Sequence, residues 1–585
     1  MSDNKTRQQS FLHGSFILVA ATFVAKIISA VYRIPLTNIL SGGGMGYFST
    51  AYDLYTPMYS IAMAGLPTAI SRMVAEYSAH GRYKDVKRTL HIAQTAFVFT
   101  GGIGFLLMLA LAFILTGDIR FTLFGREISL HAFNIGALPG MICIVPSLLF
   151  CCIMSAYRGY FEGLGNMTPT GVSEVFEAAG KLVFGLTIAA VTLKVTNDRS
   201  YAAAGALLGI TIGEALSTLY LFIKYKFFGE KSLPREMYNA APPAESKKKI
   251  LRAMILIAIP VVLGSLVNNV TSLIDVAMVQ KRLAVAIAKD SQYFTEHFKD
   301  LIASETASML KNGKAFDLVK DLPNALYGCH RGYAFSVYHL IPTLTTTLGI
   351  SAIPVLARTW AKKDTEAVKF NVQTVIRTTA VIVMPCGLGM LAISGGILNL
   401  LYDDANAIAI ATPNLRVLGI CAIFAGLNSP IIAMLQAVGK EVVPLKNVAI
   451  GAVLKIVTNF ILVGTPVINI FGVPIGTTIC YLYIFVANLY CLIKHTGIKP
   501  DFYSILIKPF FAGALSSVTA FAVFNLLSLV IKKNIVLTGA AILSAVIVYL
   551  IALSVFKVLS SADILTLPKG DKILKICKKT GLVRK

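Results

Sequence analysis

Residues 46–75 read GYFSTAYDLYTPMYSIAMAGLPTAISRMVA, and residues 332–361 read GYAFSVYHLIPTLTTTLGISAIPVLARTWA. Gly46, Tyr47, Tyr52, Leu54, Arg72 and Ala75 recur as Gly332, Tyr333, Tyr338, Leu340, Arg358 and Ala361, every pair 286 positions apart. Pro57 and Pro67 answer Pro342 and Pro354 within one position. Each stretch is mostly apolar and long enough to cross the roughly 30 Å hydrocarbon core of a bilayer as a helix. A second match pairs Gly165 with Gly439 and Lys181 with Lys455, both 274 apart. The chain thus repeats itself in one orientation. Such repeats imply two lobes about a pseudo-two-fold axis along the membrane normal, enclosing a central cavity.

Composition fixes the class. Of 585 residues, 56% are hydrophobic and 14% charged, with a mean hydropathy of +0.72. An ordinary soluble domain carries about 25% charged residues. Too few charges are present to cover soluble cores, and the apolar runs are too long for the alternating strands of a β-barrel. The sequence predicts an all-α polytopic membrane protein with 14 transmembrane helices: two pseudo-symmetric six-helix lobes plus two C-terminal helices. The expected spans are 11–34, 46–74, 90–116, 132–157, 168–192, 201–223, 253–280, 332–357, 370–400, 412–436, 444–464, 472–493, 504–530 and 535–556. The N-lobe (spans 1–6) is placed at 1–228 and a basic cytoplasmic linker at 229–252. The C-lobe (spans 7–12) is placed at 253–496, with an extracytoplasmic insertion at about 282–328. Spans 13 and 14 fall in 497–558, before a basic cytoplasmic tail at 559–585. Within the insertion, Phe294, Phe298, Leu301 and Ile302 follow helical spacing, so short amphipathic helices are expected.

The charge is lopsided, with 53 Lys and Arg against 29 Asp and Glu, a net +24. Nucleic acid and membrane topology both produce such a bias. With the N-terminus in the cytoplasm, 32 of the 53 fall in loops on that side and 14 on the other, eight of these in the single insertion. The positive-inside rule then sets both termini in the cytoplasm. The spread over many short loops excludes a nucleic-acid partner. Seven basic residues remain inside spans: Lys26, Arg33, Arg72, Lys181, Arg377, Arg416 and Lys455.

No protease, nucleophile-elbow, phosphate-loop or dinucleotide motif is present, so the chain reads as no enzyme. The nine cysteines form no CxxC, and no metal site is expected. Ionisable residues inside a bilayer are expensive and usually face a cavity or a partner. Lys26 and Arg33 share a face of span 1, and Lys181 and Lys455 hold matching places in spans 5 and 11. Four such cations suit a phosphate-bearing substrate. Each has a plainer reading. Arg33 snorkels to the interface, or Lys181 pairs with Glu177 or Glu174. Lys455 has no acid within a turn in the sequence. Asp275 in span 7 follows Asn268, Asn269, Thr271 and Ser272, an oxygen-rich set that suits Na⁺ or H⁺ as a coupling ion; the alternative is a salt bridge. Asp53 faces the same two readings, and Glu214 less so. Pro57, Pro67, Pro342, Pro354 and Pro385 each interrupt a helical hydrogen bond and permit bending between two states, or a static kink.

The run G-L-P-T-A-I-S-R at 65–72, followed by Met-Val-Ala-Glu-Tyr, resembles the second span of the MurJ and stage V sporulation protein B branch of the MOP flippases. The Gly42-Gly43-Gly44 turn, the Tyr327-Gly328 entry to span 8 and the Lys455…Asn459 pair are further similarities. The resemblance implies a MOP/MATE-like fold and a flippase for undecaprenyl-linked saccharides, with lipid II foremost, from inner to outer leaflet of a bacterial plasma membrane. It implies that Lys26 and Arg33 engage the headgroup diphosphate, that spans 13 and 14 shape a groove for the lipid tail, and that Asp275 matches an acid linked to Na⁺. No cofactor is implied beyond such an ion. The implied partners are the lipid-linked saccharide, membrane lipids and envelope-synthesis enzymes, for a monomeric chain. Lys455 stands where some members carry an acid beside the span-11 Asn, which sets ion coupling apart here. A flippase for another lipid-linked polysaccharide unit and a cation-coupled MATE-type multidrug exporter are the alternatives. Outside transport, a scaffold for envelope synthases and a membrane-embedded glycosyltransferase are the competing readings.

Overall fold

The computed structural model describes residues 2–116, 119–123, 126–130, 134–229 and 235–558. The expected basic tail at 559–585 lies outside these residues, as do the side chains of Asn268 and Pro354. Helix dominates. In order, the chain forms α1 (Ser2–Ala79), α2 (Tyr83–Thr116), α3 (Leu138–Ile144), α4 (Ser147–Gly163), α5 (Thr168–Gly180), α6 (Leu186–Thr196) and α7 (Arg199–Lys224). It continues through α8 (Arg235–Ala240), α9 (Lys247–Lys289), α10 (Ser291–His297), α11 (Lys299–Leu310) and α12 (Asp321–Gly328). The rest is α13 (Phe335–Ala361), α14 (Thr365–Leu401), α15 (Ala405–Ala437), α16 (Val442–Val463), α17 (Gly472–Thr496), α18 (Lys508–Ser528) and α19 (Asn534–Val555).

One detail departs from the sequence expectation. A small antiparallel hairpin, β1 (Ile119–Leu123) and β2 (Arg126–Leu130), pairs Ile119 with Leu130 through Leu123 with Arg126 between the second and third helices. Spans 1 and 2 are two helices that meet at a kink within α1, at Ser41 (φ 55°), directly before the expected Gly42-Gly43-Gly44 turn; Pro35, Pro57 and Pro67 lie inside the helical stretches. Among the described residues, 11 helices are long and apolar enough to cross a membrane. The other expected spans are the second half of α1, α9 and α13.

Large apolar side chains are exposed along these helices, such as Phe99, Val195 and Val518 at 70%, 76% and 64%. That is the surface of a helix bundle solvated by lipid. By internal packing the chain forms two units: Met1–Ala284 with Phe298–Gly328, and Val285–His297 with Cys329–Lys585. Residues 253–284 of α9 therefore group with the first unit, whereas the sequence division assigns them to the second lobe.

The first unit has two cores. One gathers Tyr32, Leu36, Met45, Phe48 and Leu207; the other gathers Ile70, Val74, Leu90, Phe97, Tyr160 and Leu221. Gly205, Gly209 and Gly213 repeat every four residues on α7. A Cβ on Gly209 would meet the Gly185 backbone, and one on Gly213 the Glu177 carbonyl. The ridge lets the helix backbones approach closely, the usual basis of helix association in lipid.

In the second unit α15 packs against α13, α14 and α17. Asp364 and Asp404 cap α14 and α15 by accepting from Ala367 N and Ala407 N at 3.0 and 3.1 Å. Helices α18 and α19 pack on each other and on α14. Tyr549 donates to the Val381 carbonyl at 2.6 Å, and Asn534 to that of Gly396 at 3.1 Å. The repeat is visible in the backbone: Gly165 and Gly439 take φ of 79° and 76° in the turns after α4 and α15.

Candidate functional site

A buried polar layer crosses the first unit. Glu174, Glu177 and Lys181 follow i, i+3, i+7 spacing, so they share one face at the end of α5 and the π-helical turn Lys181–Gly185 that follows. Glu177 lies 3.3 Å from Arg158 on α4 and 3.6 Å from Lys181. Arg158 is 4% exposed and also donates to Ser173 at 2.8 Å. From α1, Tyr59 donates to Glu177 at 3.4 Å, and Tyr55, one turn earlier, donates to Glu214 at 2.6 Å. Thr22 donates to Glu174 at 2.6 Å, and Lys26, one turn on, lies in the field of that carboxylate.

This layer sets three carboxylates against three cations. In a low-dielectric interior each charge needs such a partner. Of the sequence candidates, Lys26 and Lys181 both face acids. Arg33 lies apart from that layer, its guanidinium 5.2 Å from the Phe48 ring centroid. The sequence reading missed Arg158, because it lies one residue beyond the expected span 4 and counts there as a loop charge.

A second polar layer joins the insertion to α1. Asn134 donates to Asn324 at 2.8 Å and to Gln280 at 3.2 Å, and Gln280 donates to Thr50 at 2.8 Å. Asn324 in turn donates to the Gly43 carbonyl at 2.9 Å. Tyr327 donates to Asp53 at 3.0 Å. Glu305 accepts from Gly43 N at 3.1 Å and from Arg199 at 2.8 Å, and Lys314 pairs with Asp198 at 2.6 Å. The glycines at 42–46 permit this docking: a Cβ on Gly46 would strike Asn324. Phe294, Phe298 and Leu301 are buried, and Ile302 half-buried. Asp275 and Thr271, one turn apart on α9, are 1% and 7% exposed.

In the second unit, Lys455 and Asn459 sit one turn apart on α16, at 1% and 0% exposure. Gly476 makes room for them, since a Cβ there would meet the Asn459 amide oxygen. His330 is fully buried in the π-helical turn Cys329–Ala334, and neither ring nitrogen has a hydrogen-bond partner among the described residues. Pro342 lies within α13, a continuous helix.

Residues 11–287 match the family described as polysaccharide biosynthesis protein, and residues 331–461 match the MatE family. The chain is similar to both families. It is 25% identical over 516 residues to "Lipid II flippase MurJ" of Bacillus subtilis (strain 168), spanning 85% of the chain and 84% of that relative. It is 22% identical over 571 residues to "Stage V sporulation protein B" of the same organism, spanning 96% of the chain and 98% of the relative. Its fold is similar to a solved lipid II flippase MurJ in an inward closed conformation (TM-score 0.59, 14% identity, 92% of this chain and 98% of that one). A second similar structure is an inward-facing multidrug resistance MATE family transporter of the MOP superfamily (TM-score 0.56, 14% identity, 80% and 98%). The chain is thus a multi-pass membrane transporter or flippase.

Proposed function

We propose that the chain is a flippase for an undecaprenyl-linked saccharide, with lipid II as the substrate. It moves this lipid from the inner to the outer leaflet of a bacterial plasma membrane by alternating access, as a monomer with both termini in the cytoplasm. The observation that carries the reading is the pairing of membrane-embedded cations with two helices beyond the repeats. Lys26, Arg33 and Lys181 stand in the first unit and Lys455 in the second. Helices α18 and α19 pack on α14, and a polyprenyl tail needs apolar helical surface of that kind. The near-full-length similarity to a lipid II flippase supports the same substrate. The named relatives are flippases and transporters, which supports a non-enzymatic role. We assign the coupling ion, Na⁺ or a proton, to Asp275 and Thr271, one turn apart on α9.

The test is rescue. A bacterium depleted of its own lipid II flippase is given this chain, and lipid II exposed on the outer leaflet is measured. Restored exposure is expected. Normal membrane levels without restoration would overturn lipid II as the substrate and leave another lipid-linked saccharide.

A cation-coupled drug exporter is the second reading, favoured by one observation. The first unit buries Glu214 and half-buries Glu174 and Glu177, and carboxylates suit cationic drugs. Efflux of a cationic dye that depends on Glu214, without rescue, would favour it.

A further inference from the structure

One side of the first unit carries a groove of about 1320 Å³ between α2 and the start of α9. Its mouth is basic: Lys84, Lys87, Arg88, His91, Lys247 and Lys248 line it. Deeper in, the wall turns apolar, with Ile92, Ala96, Phe99, Leu251, Met254 and Ile255. Both helices begin at this end, because Lys84 donates to the Ala241 carbonyl at 2.7 Å and Arg88 to that of Glu245 at 2.8 Å. Each therefore presents one continuous face that runs from cationic to apolar. From Ile92 to Thr100 the helix rises about 12 Å, most of one leaflet's share of a roughly 30 Å hydrocarbon core.

Among the described residues, Lys84, Arg88, Lys247 and Lys248 form no ion pair with an acid. Glu245, the carboxylate beside the groove, binds Arg82 and Lys249, each at 2.8 Å, and neither lines the groove. Lys84 and Arg88 meet backbone carbonyls and keep their full charge, and Lys247 and Lys248 are exposed. A cluster of cations above an apolar slot one leaflet deep matches a phosphate headgroup with acyl chains below it.

We propose that this groove holds an anionic glycerophospholipid of the surrounding bilayer, its phosphate among Lys84, Arg88, Lys247 and Lys248 and its chains between α2 and α9. The assignment does not rest on the identity of the transported lipid.

Native mass spectrometry of the full chain, titrated with phosphatidylglycerol or phosphatidylcholine, tests it. Phosphatidylglycerol is expected to bind in preference. The double variant Lys247→Gln/Lys248→Gln should weaken it about 30-fold, since each basic residue near a headgroup contributes on the order of 1 kcal/mol. Thr95→Trp, which fills the apolar slot, should weaken it without touching the charges. Lys440→Gln/Lys446→Gln removes the same charge from exposed sites elsewhere and should change nothing. Equal binding of the two lipids would overturn the proposal. So would an equal loss in the Lys440/Lys446 control. Displacement of phosphatidylglycerol by an equimolar undecaprenyl phosphate would reassign the groove to the transported lipid.

Discussion

The Arg158 guanidinium and the Glu177 carboxylate meet at 3.3 Å on two different helices, and Lys181 reaches the same carboxylate at 3.6 Å. One acid thus neutralises two cations in the interior of the first unit. Removing the acid strands both, whereas removing Lys181 leaves Arg158 paired. Glu177→Gln should destabilise the chain by about 3–5 kcal/mol, the usual cost of breaking a buried pair. Lys181→Gln should cost clearly less. Melting temperatures in detergent check the order, and a Lys181 variant as damaged as the Glu177 variant would refute it.

Gly209 faces the Gly185 backbone, leaving no room for a side chain. Gly209→Ala should therefore cost roughly 1–3 kcal/mol, the range for overpacking, and Gly209→Leu should prevent accumulation of folded protein. Gly102, with nothing near its missing Cβ, is the control. Gly102→Ala should stabilise its helix slightly. Parallel thermal melts of the three variants decide it.

Glu305 joins the insertion to α1 and α7, since it binds both Gly43 N and Arg199. It is 6% exposed, whereas the Lys314 side chain of the neighbouring pair is 53% exposed. Partly buried charged hydrogen bonds outweigh exposed ion pairs, which are worth about 0–1 kcal/mol. Glu305→Ala should raise hydrogen exchange throughout 298–328, and Lys314→Ala should leave it nearly unchanged. Equal protection in both variants would place the insertion's anchorage elsewhere, at Asn324 and Tyr327.

The repeat was legible because its features are local. Gly165 and Gly439 need a left-handed turn, and a residue type with a fixed backbone demand shows in the sequence as a spacing. The pairs that build the polar layers were not. Tyr327 meets Asp53 across 274 residues and Gln280 meets Thr50 across 230, and no periodicity encodes such distances. Lys181 was readable in part, because its acid lies one turn away on the same helix. Arg158 was hidden by a boundary, since an arginine at the end of an apolar run looks like a topological anchor until its partner is seen. The break in α1 fell on Ser41 rather than on a glycine or proline. Neighbouring contacts, here the docking of Glu305 and Asn324 on Gly43, fix where a long helix bends.

Outside the membrane, Glu245 accepts from Lys249 and Arg82, and these bonds hold its carboxyl below the usual carboxylate range. Asp85 accepts from its backbone N–H at 2.7 Å, so the cluster ties residues 244–249 to α2. A carboxyl whose folded pKa is depressed lends stability above its unfolded value of about 4.3, and that stability is lost as the pH falls through the folded value. Glu245→Gln should melt below the parent at pH 7, and the difference should shrink as the pH falls below the unfolded value toward the lower folded one. A difference that is the same in acid as at pH 7 would mean the contribution is packing, not charge.

Lys26 and Lys455 separate the transport reading from a structural one. Lys455 is 1% exposed on α16 and occupies the repeat position of Lys181, but in the other unit. Lys26 is half-buried beside Glu174. A cation that engages a diphosphate acts through charge and hydrogen-bond donors, so an amide of similar length keeps the shape and loses the interaction. In the rescue assay, Lys26→Gln and Lys455→Gln should each lower lipid II exposure at least tenfold with normal membrane levels, and Lys455→Arg should recover part of it. A purely structural lysine predicts the opposite split: a lowered melting temperature, with transport per folded molecule intact. If both glutamine variants transport normally, diphosphate recognition by these cations is wrong, and Arg33 becomes the remaining basic candidate in the first half of α1.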